Sequence, residues 1–481
     1  MRHFSPPRNI HARSCSFRKY YSEQPIVLHN KTIAELSDNL RAGAVTARQL
    51  VEEALERIDD PRGEGSRTFM TVWHDRARDL ADHIDRHAVW RDERLLLCGI
   101  PISIKDAFDV AGEITRAGSV ARHHEPTAKF DAEPVRRLRA AGAILIGRTT
   151  MSEFAFSGIG LNRNYGTPSN PYDRHAGRIP GGSSSGSAVA VADGMCAGSL
   201  ATDTGGSIRA PAALCGISGF KPTFSPALLE GVFPRSYSLD TVGPIAKSVS
   251  CCAILNAAMS GDDRIPISYP RSKSVKGLHI GIVEGEPLED LALEVARAYS
   301  VALSQLSEQG VRLSHFSLPE IAEIRNINAR GGISPAEAFA IHRNLVAKSP
   351  ELIDPIFLAR LRKGATVSAS DYVDALRQRQ TITEVVCTKT HRFDAIIMPT
   401  CPVVAPPIAD VQTPEAFEAM SALILRNCNL ANFLDRPALS IPIHLPGTAP
   451  VGLMLVGHNK CDRDLLSIGI AIQEALIAAQ L

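Results

Sequence analysis

Residues 181–187 read GGSSSGS and residues 203–209 read DTGGSIR, and each stretch leads into a run of small apolar residues. Because glycine lacks a Cβ, backbone N–H groups in such loops can turn toward one point. N–H groups that converge at the start of a helix bind anions, and in an enzyme the anion can be the oxyanion of a tetrahedral intermediate. Together the two stretches indicate a catalytic surface, although either one alone is explained as an ordinary Ser/Gly turn.

The first stretch also contains a formal nucleophile elbow. Gly182 to Gly186 matches G-x-S-x-G with Ser184 at the centre, and such an elbow must follow a buried strand. Residues 175–180 read HAGRIP and make a poor strand. A phosphate-binding loop requires G-x-x-x-x-G-K-[ST] or a strand followed by G-x-G-x-x-G, and neither pattern is present. On these residues alone, Ser184 stays an alternative nucleophile.

A third stretch supplies a lysine. Residues 99–106 read GIPISIKD and place Lys105 at the end of an apolar run. A lysine in this position is usually the first solvated residue after a strand. In an apolar site the same lysine loses solvation, which favours its neutral form. A neutral amine can act as a general base toward a serine hydroxyl.

These stretches, in this order, resemble the amidase signature family over roughly residues 31–475. The resemblance also rests on GFKPT at 219–223, SLDTVGP at 238–244 and the segment 394–400, which ends in MPT. It implies the family fold, an α/β architecture in which a central mixed, twisted sheet is covered by helices on both faces. It also implies an amidohydrolase that converts a linear carboxamide into a carboxylate and ammonia or an amine, with no cofactor and no metal.

The resemblance assigns roles to three matching residues. Lys105 corresponds to the catalytic lysine, Ser207 to the nucleophile, and Ser183 to the bridging serine, whose preceding peptide bond is typically cis in the family. The two serines lie 24 positions apart, in agreement with the family pattern, and this favours Ser183 over Ser184. Neutral Lys105 is expected to take a proton from Ser183 while Ser183 takes one from Ser207. Ser207 then attacks the amide carbonyl and forms an acyl-enzyme.

The rest of the second stretch receives supporting roles. The groups expected to hold the oxyanion are the backbone N–H groups of Thr204, Gly205, Gly206 and Ser207. The resemblance implies that Asp203 and Arg209 pair with each other and brace the loop. The alternative is that Arg209 binds a carboxylate of the substrate. The fifteen histidines show no catalytic spacing and are expected to be ordinary surface or core residues.

Two capping boxes predict an N-terminal helical hairpin at about residues 31–60. Thr32 with Glu35, and Thr46 with Gln49, have the spacing in which the N-cap and the third helical residue bond each other's backbone N–H groups. Each box precedes an apolar stripe with helical periodicity.

The remainder of the chain has an α/β pattern. We expect a tail over residues 1–30, disordered or targeting-like, and a single amidase domain over 31–481 with its catalytic core at about 95–245. Short apolar runs between helical patterns predict strands that are covered on both faces. The runs are residues 95–98, 100–104, 144–147, 278–283, 395–398, 439–443 and 453–456. The pattern at 288–309 predicts a helix that Gly310 ends.

Charge and composition limit the partners and the location. Lys+Arg is 52 and Asp+Glu is 51, so no strong field recruits nucleic acid or an anionic membrane. The longest uncharged stretch, 437–459, contains four prolines and cannot be one spanning helix. None of the ten cysteines forms a C-x-x-C pair, which favours buried thiols in a cytoplasmic protein. Residues 1–22 contain five Arg or Lys and no acid, and this composition makes a mitochondrial transit peptide the alternative.

Two other functions stay open. One is the amidase (glutaminase) subunit of a tRNA-dependent amidotransferase, but residues 318–350 lack the Tyr-rich, Arg-containing stretch of those subunits, and residues 223–228 depart from their usual form. The other is an inactive scaffold or binding protein on the same fold, although all three catalytic positions are filled. The partner is expected to be a small-molecule amide, and a homodimer is ordinary for the family. Three aromatic residues either line the substrate pocket or pack in the core: Phe154, Phe156 and Tyr165.

Overall fold

The computed structural model describes residues 28–92, 94–260 and 269–479. The tail predicted at 1–30 lies outside the described residues except for its last three positions, and so does the transit-peptide alternative at 1–22. Within the described ranges, no helix combines the length and apolar character that a membrane span requires.

The described strands form one mixed sheet. They are β1 (Phe69–Val72), β2 (Pro101–Lys105), β3 (Ile144–Thr149), β4 (Gly198–Asp203), β5 (Ser218–Lys221), β6 (Thr241–Ala246), β7 (His279–Glu284), β8 (Arg312–Ser317), β9 (Ala395–Pro399), β10 (Ala438–Pro442) and β11 (Gly452–Val456). Their order across the sheet is β1-β3-β2-β4-β6-β5-β10-β11-β9-β7-β8. β2 runs parallel to β3 and β4, and β7 runs parallel to β8 and β9, whereas the other neighbours are antiparallel. The predicted α/β fold with a mixed sheet is confirmed.

Helices cover both faces of this sheet. They are α1 (Ile33–Arg41), α2 (Ala47–Asp59), α3 (Gly65–Thr68), α4 (His74–His87), α5 (Glu133–Ala140), α6 (Ser185–Ala192), α7 (Arg209–Leu214), α8 (Val249–Ser260), α9 (Leu293–Glu308), α10 (Glu320–Ala329), α11 (Ile333–Lys348), α12 (Pro355–Gly364), α13 (Ala369–Thr390), α14 (Pro414–Leu425), α15 (Cys428–Phe433) and α16 (Asp462–Ala478). Alternate side chains of a strand point to opposite faces. In β11, Leu453 and Leu455 enter one apolar cluster with α2, α8 and α16, while Met454 enters a second cluster with α10 to α15.

Both N-terminal capping boxes are formed. The hydroxyls of Thr32 and Thr46 accept hydrogen bonds from the backbone N–H groups of Glu35 and Gln49. In return, the side chains of Glu35 and Gln49 accept hydrogen bonds from the backbone N–H groups of the two threonines. The helices at the predicted hairpin are therefore α1 and α2. The second of them packs mainly against α4, which the capping pattern alone did not indicate.

Three local predictions differ from the structure. Residues 95–98 form a turn rather than a strand, because their backbone bonds close locally: the N–H of Cys98 reaches the carbonyl of Leu95. The helix predicted at 288–309 begins only at Leu293, although Gly310 follows its end with a φ of +90° as expected. The strands β4, β5 and β6 were missed because half of the residues in each are Gly, Ser, Thr or Pro.

The sheet topology positions the chemistry. The carboxyl ends of β2 and β4 meet at one edge because the two strands are parallel neighbours. Lys105 ends β2 and Asp203 ends β4. Loops that follow the carboxyl ends of adjacent parallel strands are the usual place for a ligand in an α/β fold. This edge therefore contains the lysine and the loop 203–209 together.

Candidate active site

Lys105 is the last residue of β2 and is fully buried. Its Nζ donates hydrogen bonds of 2.8 Å to Ser183 Oγ and of 2.8 Å to Thr202 Oγ1. Thr202 lies on β4, where the register sets Leu200 opposite Ile104. The interpretation of Lys105 as a solvated residue is wrong, because the neighbouring strand and the Ser183 loop enclose the amine.

The surroundings favour a neutral amine. Burial, and next the positive charge of Arg235, lower the pKa of Lys105 to about 7, while the carboxylates of Asp203 and Asp240 oppose this shift. No carboxylate of the described residues lies within 4.0 Å of Lys105 Nζ. An amine with a pKa near neutrality exists partly in its basic form at pH 7 and can accept a proton.

Ser183 follows a cis peptide bond, Gly182–Ser183, as the resemblance implied. Its carbonyl accepts the N–H of Ser152 at 3.0 Å. Its hydroxyl, which is fully buried, accepts the bond from Lys105. The serine is therefore fixed on its main-chain side by one loop and on its side-chain side by the lysine.

Ser184 does not occupy a nucleophile elbow. The strands nearest in sequence are β3, which ends at Thr149, and β4, which begins at Gly198. Its buried hydroxyl donates to the carbonyl of Thr202 at 3.4 Å. Because an elbow requires a strand that runs directly into the serine, the formal G-x-S-x-G match has no structural counterpart.

Ser207 lies between Gly206 and the first turn of α7. Gly206 has a φ of +128°, a conformation that residues with a side chain rarely adopt. The loop of Ser207 packs on the first loop, since a Cβ on Gly181 would lie 2.8 Å from the Cα of Pro211. Ser207 is buried, and its Oγ has no hydrogen-bond partner among the described residues. The fold thus brings the loops of Ser183 and Ser207 together without bonding their hydroxyls.

Asp203 and Arg209 form a fully buried ion pair. Arg209 Nη2 and Nε donate to the two carboxylate oxygens of Asp203 at 3.0 and 3.1 Å. The same carboxylate accepts the N–H of Gly206 at 2.7 Å and that of Ile208 at 3.0 Å. Although burial raises the pKa of Asp203, Arg209 and the other donors hold it below its ordinary value. The guanidinium of Arg209 therefore faces its own loop rather than a space for substrate.

The prediction missed three residues of this site. Thr202 accepts from the lysine, and it directly precedes the DTGGSIR stretch, so its position was a usable signal. Asp240 accepts a 2.5 Å bond from the hydroxyl of Thr204 and lies inside the quoted SLDTVGP stretch. Asn432, on α15, bonds both members of the buried ion pair at 2.8 and 2.6 Å. Nothing near Asn432 in the sequence indicates that contact.

The three aromatic residues between the lysine and serine motifs have different surroundings. Phe154 is buried in the second apolar cluster. Tyr165 is half-buried and stacks on His123 with 5.9 Å between ring centroids. Phe156 lies under the guanidinium of Arg235, whose Cζ is 4.7 Å from the ring centroid. Core packing therefore accounts for Phe154, while Phe156, which is buried in the same cluster, also contacts a charged side chain.

Metal ligands are not assembled at this edge of the sheet. In the ranges that the structure describes, no group of three His, Cys, Asp or Glu side chains is placed to hold a metal ion. The buried His342 packs against Phe154 at 4.3 Å between ring centroids, and burial lowers the pKa of this histidine to about 4. This arrangement is that of a core histidine.

Comparisons with known proteins show which family the chain matches. The Amidase family model matches residues 49–466. The chain is 32% identical over 453 residues to 2-amino-5-chloromuconic acid deaminase of Comamonas testosteroni, with 93% of this chain and 96% of that protein covered. It is 31% identical to a glutamyl-tRNA(Gln) amidotransferase subunit of Roseiflexus sp. (strain RS-1), with 93% and 96% covered. The crystal structure of an amidase superposes with a TM-score of 0.81 at 32% identity, covering 94% of this chain and 100% of that one.

Proposed function

Because this chain belongs to the amidase family, it is an amidohydrolase that cleaves the carbon–nitrogen bond of a linear amide, and we propose that Ser207 is its nucleophile. One observation carries the proposal: the buried Nζ of Lys105 lies 2.8 Å from Ser183 Oγ. No carboxylate of the described residues is close enough to stabilise the charged form of this lysine. Its neutral amine can therefore accept a proton from the hydroxyl of Ser183.

The proton relay runs from Ser207 through Ser183 to Lys105. When substrate binds, the two serine hydroxyls form the hydrogen bond that the free protein lacks. Ser207 Oγ bonds to the amide carbon while its proton moves to Ser183, whose own proton moves to Lys105 Nζ. The proton returns through Ser183 to the leaving nitrogen as the carbon–nitrogen bond breaks. Water then attacks the acyl-enzyme by the same relay and releases the carboxylate.

The oxyanion is held by fewer donors than the sequence suggested. The N–H of Gly206 already donates to Asp203 at 2.7 Å. The oxyanion site therefore consists of the N–H groups of Thr204, Gly205 and Ser207. Donors that are fixed before reaction stabilise the developing charge without reorganisation. The buried pair of Asp203 and Arg209 fixes them, because it bonds to the loop from inside.

Labelling with a fluorophosphonate, followed by peptide mapping, tests the relay without knowledge of the substrate. We expect the wild type to be labelled at Ser207. Lys105→Ala should lower the labelling rate by two orders of magnitude or more, as loss of a general base does (roughly 10²–10⁴-fold). Ser184→Ala is the matched control, because this buried neighbour lies outside the relay, and its labelling rate should stay close to that of the wild type.

Two outcomes would overturn this assignment. Labelling at Ser184 would make that residue the nucleophile despite its position outside an elbow. Absence of labelling at any serine of a folded protein would favour the inactive scaffold. Thermal unfolding of each variant, measured in parallel, shows whether a lost label reflects lost chemistry or lost structure.

The glutaminase component of an amidotransferase is the second candidate, and the relative from Roseiflexus supports it. That function predicts release of ammonia from free glutamine that depends on partner proteins and a tRNA. The preferred function predicts turnover of a small amide by the isolated chain. Ammonia measured with glutamine and with a panel of linear amides, in the absence of any partner, separates the two.

We also propose a cytoplasmic location. The described cysteines are free thiols, and most of them are buried. Unpaired cysteines are typical of a reducing compartment. Fluorescence of a C-terminal fusion would place the protein, and import into mitochondria would instead support the transit peptide at residues 1–22.

A further inference from the structure

Arg235 is tied to the second catalytic loop through Asp240. Its backbone N–H donates to Asp240 Oδ2 at 2.8 Å. The other oxygen of that carboxylate accepts the hydroxyl of Thr204 at 2.5 Å. Thr204 stands three positions before Ser207. Two hydrogen bonds therefore separate the main chain of Arg235 from the loop of the nucleophile.

The side chain of Arg235 bonds the segment that contacts the first catalytic loop. Its Nη1 donates to the carbonyl of Ala155 at 2.8 Å. Three positions earlier, Ser152 donates its N–H to the carbonyl of Ser183. The guanidinium thus contacts the segment that holds the Ser183 loop, and its charge lowers the pKa of Lys105, after the larger effect of burial.

One edge of this guanidinium has no partner. Among the residues that the structure describes, the buried Nε has no hydrogen-bond partner and Nη2 makes no hydrogen bond. One face lies on the ring of Phe156 at 4.7 Å. No carboxylate of the described residues comes within 4.0 Å of it, because Asp240 is already occupied by neutral donors. An unsatisfied buried donor destabilises a protein, and a charged donor does so more strongly.

Two other arginines of this protein bind a carboxylate through the same two atoms, Nε and Nη2. Arg209 uses its Nε and Nη2 to hold Asp203 at 3.1 and 3.0 Å. Arg360 uses its Nε and Nη2 to hold Glu418 at 2.7 and 2.9 Å. The spacing of these two nitrogens matches the two oxygens of a carboxylate, and the fork is stronger than a single bond. Among the described residues, nothing fills the same fork of Arg235, and hydrogen bonds link this residue to Asp240 and Ala155 near the two serine loops.

We propose that Arg235 binds a carboxylate of the substrate, so that this enzyme hydrolyses amides that carry a negative charge. The inference rests on the proposed function of Ser207. Arg235 remains partly exposed, as a group that receives a ligand must be. Phe156 supports the guanidinium from below, and the carbonyl of Ala155 fixes its remaining edge. These contacts orient the fork before the substrate arrives, which reduces the entropy lost on binding.

Paired substrates test the proposal. Succinamate and glutaramate carry a carboxylate in the acyl part, and butyramide and valeramide are their uncharged counterparts. In N-acyl amino acids the carboxylate lies on the leaving amine, so this third set distinguishes the two ends of the substrate. We expect the wild type to prefer one of the charged sets. In Arg235→Met the kcat/KM ratio of charged over uncharged substrate should fall about 10- to 100-fold, mainly through KM.

Two further variants make the result specific. Arg235→Lys keeps the charge but not the fork, and it should fall between the wild type and Arg235→Met. Arg360→Met is the matched control, because Arg360 bonds the carbonyl of the adjacent Phe156 but already holds Glu418. Its ratio should remain that of the wild type. A ratio that does not change in Arg235→Met, or that changes equally in Arg360→Met, overturns the proposal.

Labelling of Ser207 distinguishes an error in the role of Arg235 from an error in the proposed function. If Ser207 is labelled but no amide of the panel is turned over, protection from the label by succinate and glutarate replaces turnover. We expect Arg235→Met to need about 10-fold or more of the dicarboxylate for equal protection. Equal protection of both proteins, or none of the wild type, overturns the role of Arg235 and leaves that of Ser207 intact. Loss of labelling itself would refute the proposed function instead.

Discussion

The loop of the proposed nucleophile (the nucleophile loop, residues 203–209) and the Arg235 segment, residues 233–240, each contribute an arginine near the proposed relay. In the nucleophile loop, Arg209 is fully buried and its fork is filled by Asp203. In the Arg235 segment, the corresponding Nε and Nη2 bond none of the residues that the structure describes. A filled, buried ion pair fixes the backbone that carries it, whereas an unfilled cation at the edge of a site is available to a ligand. Similar residues therefore have opposite uses, and the difference lies in the satisfaction of their hydrogen bonds.

The largest expected effect is on the free energy of unfolding when the Asp203–Arg209 pair is broken. Arg209→Met leaves the carboxylate of Asp203 buried without its ion partner, and loss of one member of a buried pair costs about 3–5 kcal/mol in free energy of unfolding. Arg235→Met removes a cation that has no ion partner among the described residues, together with one hydrogen bond to the carbonyl of Ala155. Its free energy of unfolding should therefore fall by about 1–2 kcal/mol at most, less than in Arg209→Met. Denaturation in urea, monitored by circular dichroism, measures both. Equal losses in the two variants would contradict the comparison.

A double-mutant cycle sharpens the same point. Asp203→Asn and Arg209→Met should couple strongly, because the two side chains share two hydrogen bonds and a charge interaction. The double variant should therefore be less destabilised than the sum of the single variants. Additive losses would show that the pair does not brace the loop as a unit.

Asn432 gives the next largest effect. Its amide bonds both Asp203 and Arg209, at 2.8 and 2.6 Å, from a helix more than 200 positions away. Asn432→Ala leaves a donor and an acceptor of the pair unsatisfied, and we expect a loss of about 1–3 kcal/mol in free energy of unfolding. Asn432→Asp places a second carboxylate beside the first and should be worse. If Asn432→Ala leaves the free energy of unfolding unchanged, the Asp203–Arg209 pair is stabilised by contacts within its own loop alone.

Substitutions of Thr202 test whether its hydrogen bond to Lys105 contributes to the relay. Thr202→Val removes the second hydrogen-bond partner of Lys105 and preserves the shape of the side chain. We expect the labelling rate of Ser207 to fall about 2- to 12-fold, which corresponds to one ordinary hydrogen bond in the relay. Thr202→Ser keeps the hydroxyl and should retain most of the rate. Equal rates in the Val and Ser variants would show that Ser183 alone positions the amine.

The smallest effect is electrostatic. Lys105 must be neutral to accept a proton, so kcat/KM or the labelling rate should rise with pH through a pKa of about 7. The cation of Arg235 contributes to lowering that pKa, after burial. Arg235→Met should therefore shift the acid limb to higher pH, while Arg360→Met, whose charge is paired with Glu418, should leave it in place. A shift to lower pH would contradict the assigned geometry.

Much of the fold followed from local patterns. The capping boxes at Thr32 and Thr46 predicted where two helices begin, because capping depends on residues within one turn. Apolar runs predicted β2, β3, β7, β9, β10 and β11. The central strands β4 and β6 were missed, since close packing replaces apolar bulk there: a Cβ on Gly198 would lie 2.5 Å from Leu255 Cδ1. Small residues in a strand resemble a loop until the element that covers them is known.

The sequence by itself determined the family, the mixed α/β architecture and the residue types that the chemistry requires, since motif order and short-range spacing are properties of the chain. Tertiary structure alone decided which groups are buried and which hydrogen bonds are made. Lys105 differs from a solvated lysine only because β4 and the Ser183 loop exclude water from it. Arg209 and Arg235 differ only because one fork faces Asp203 and the other faces none of the described carboxylates. Burial and pairing depend on residues distant in the sequence, so they arise only when the chain has folded.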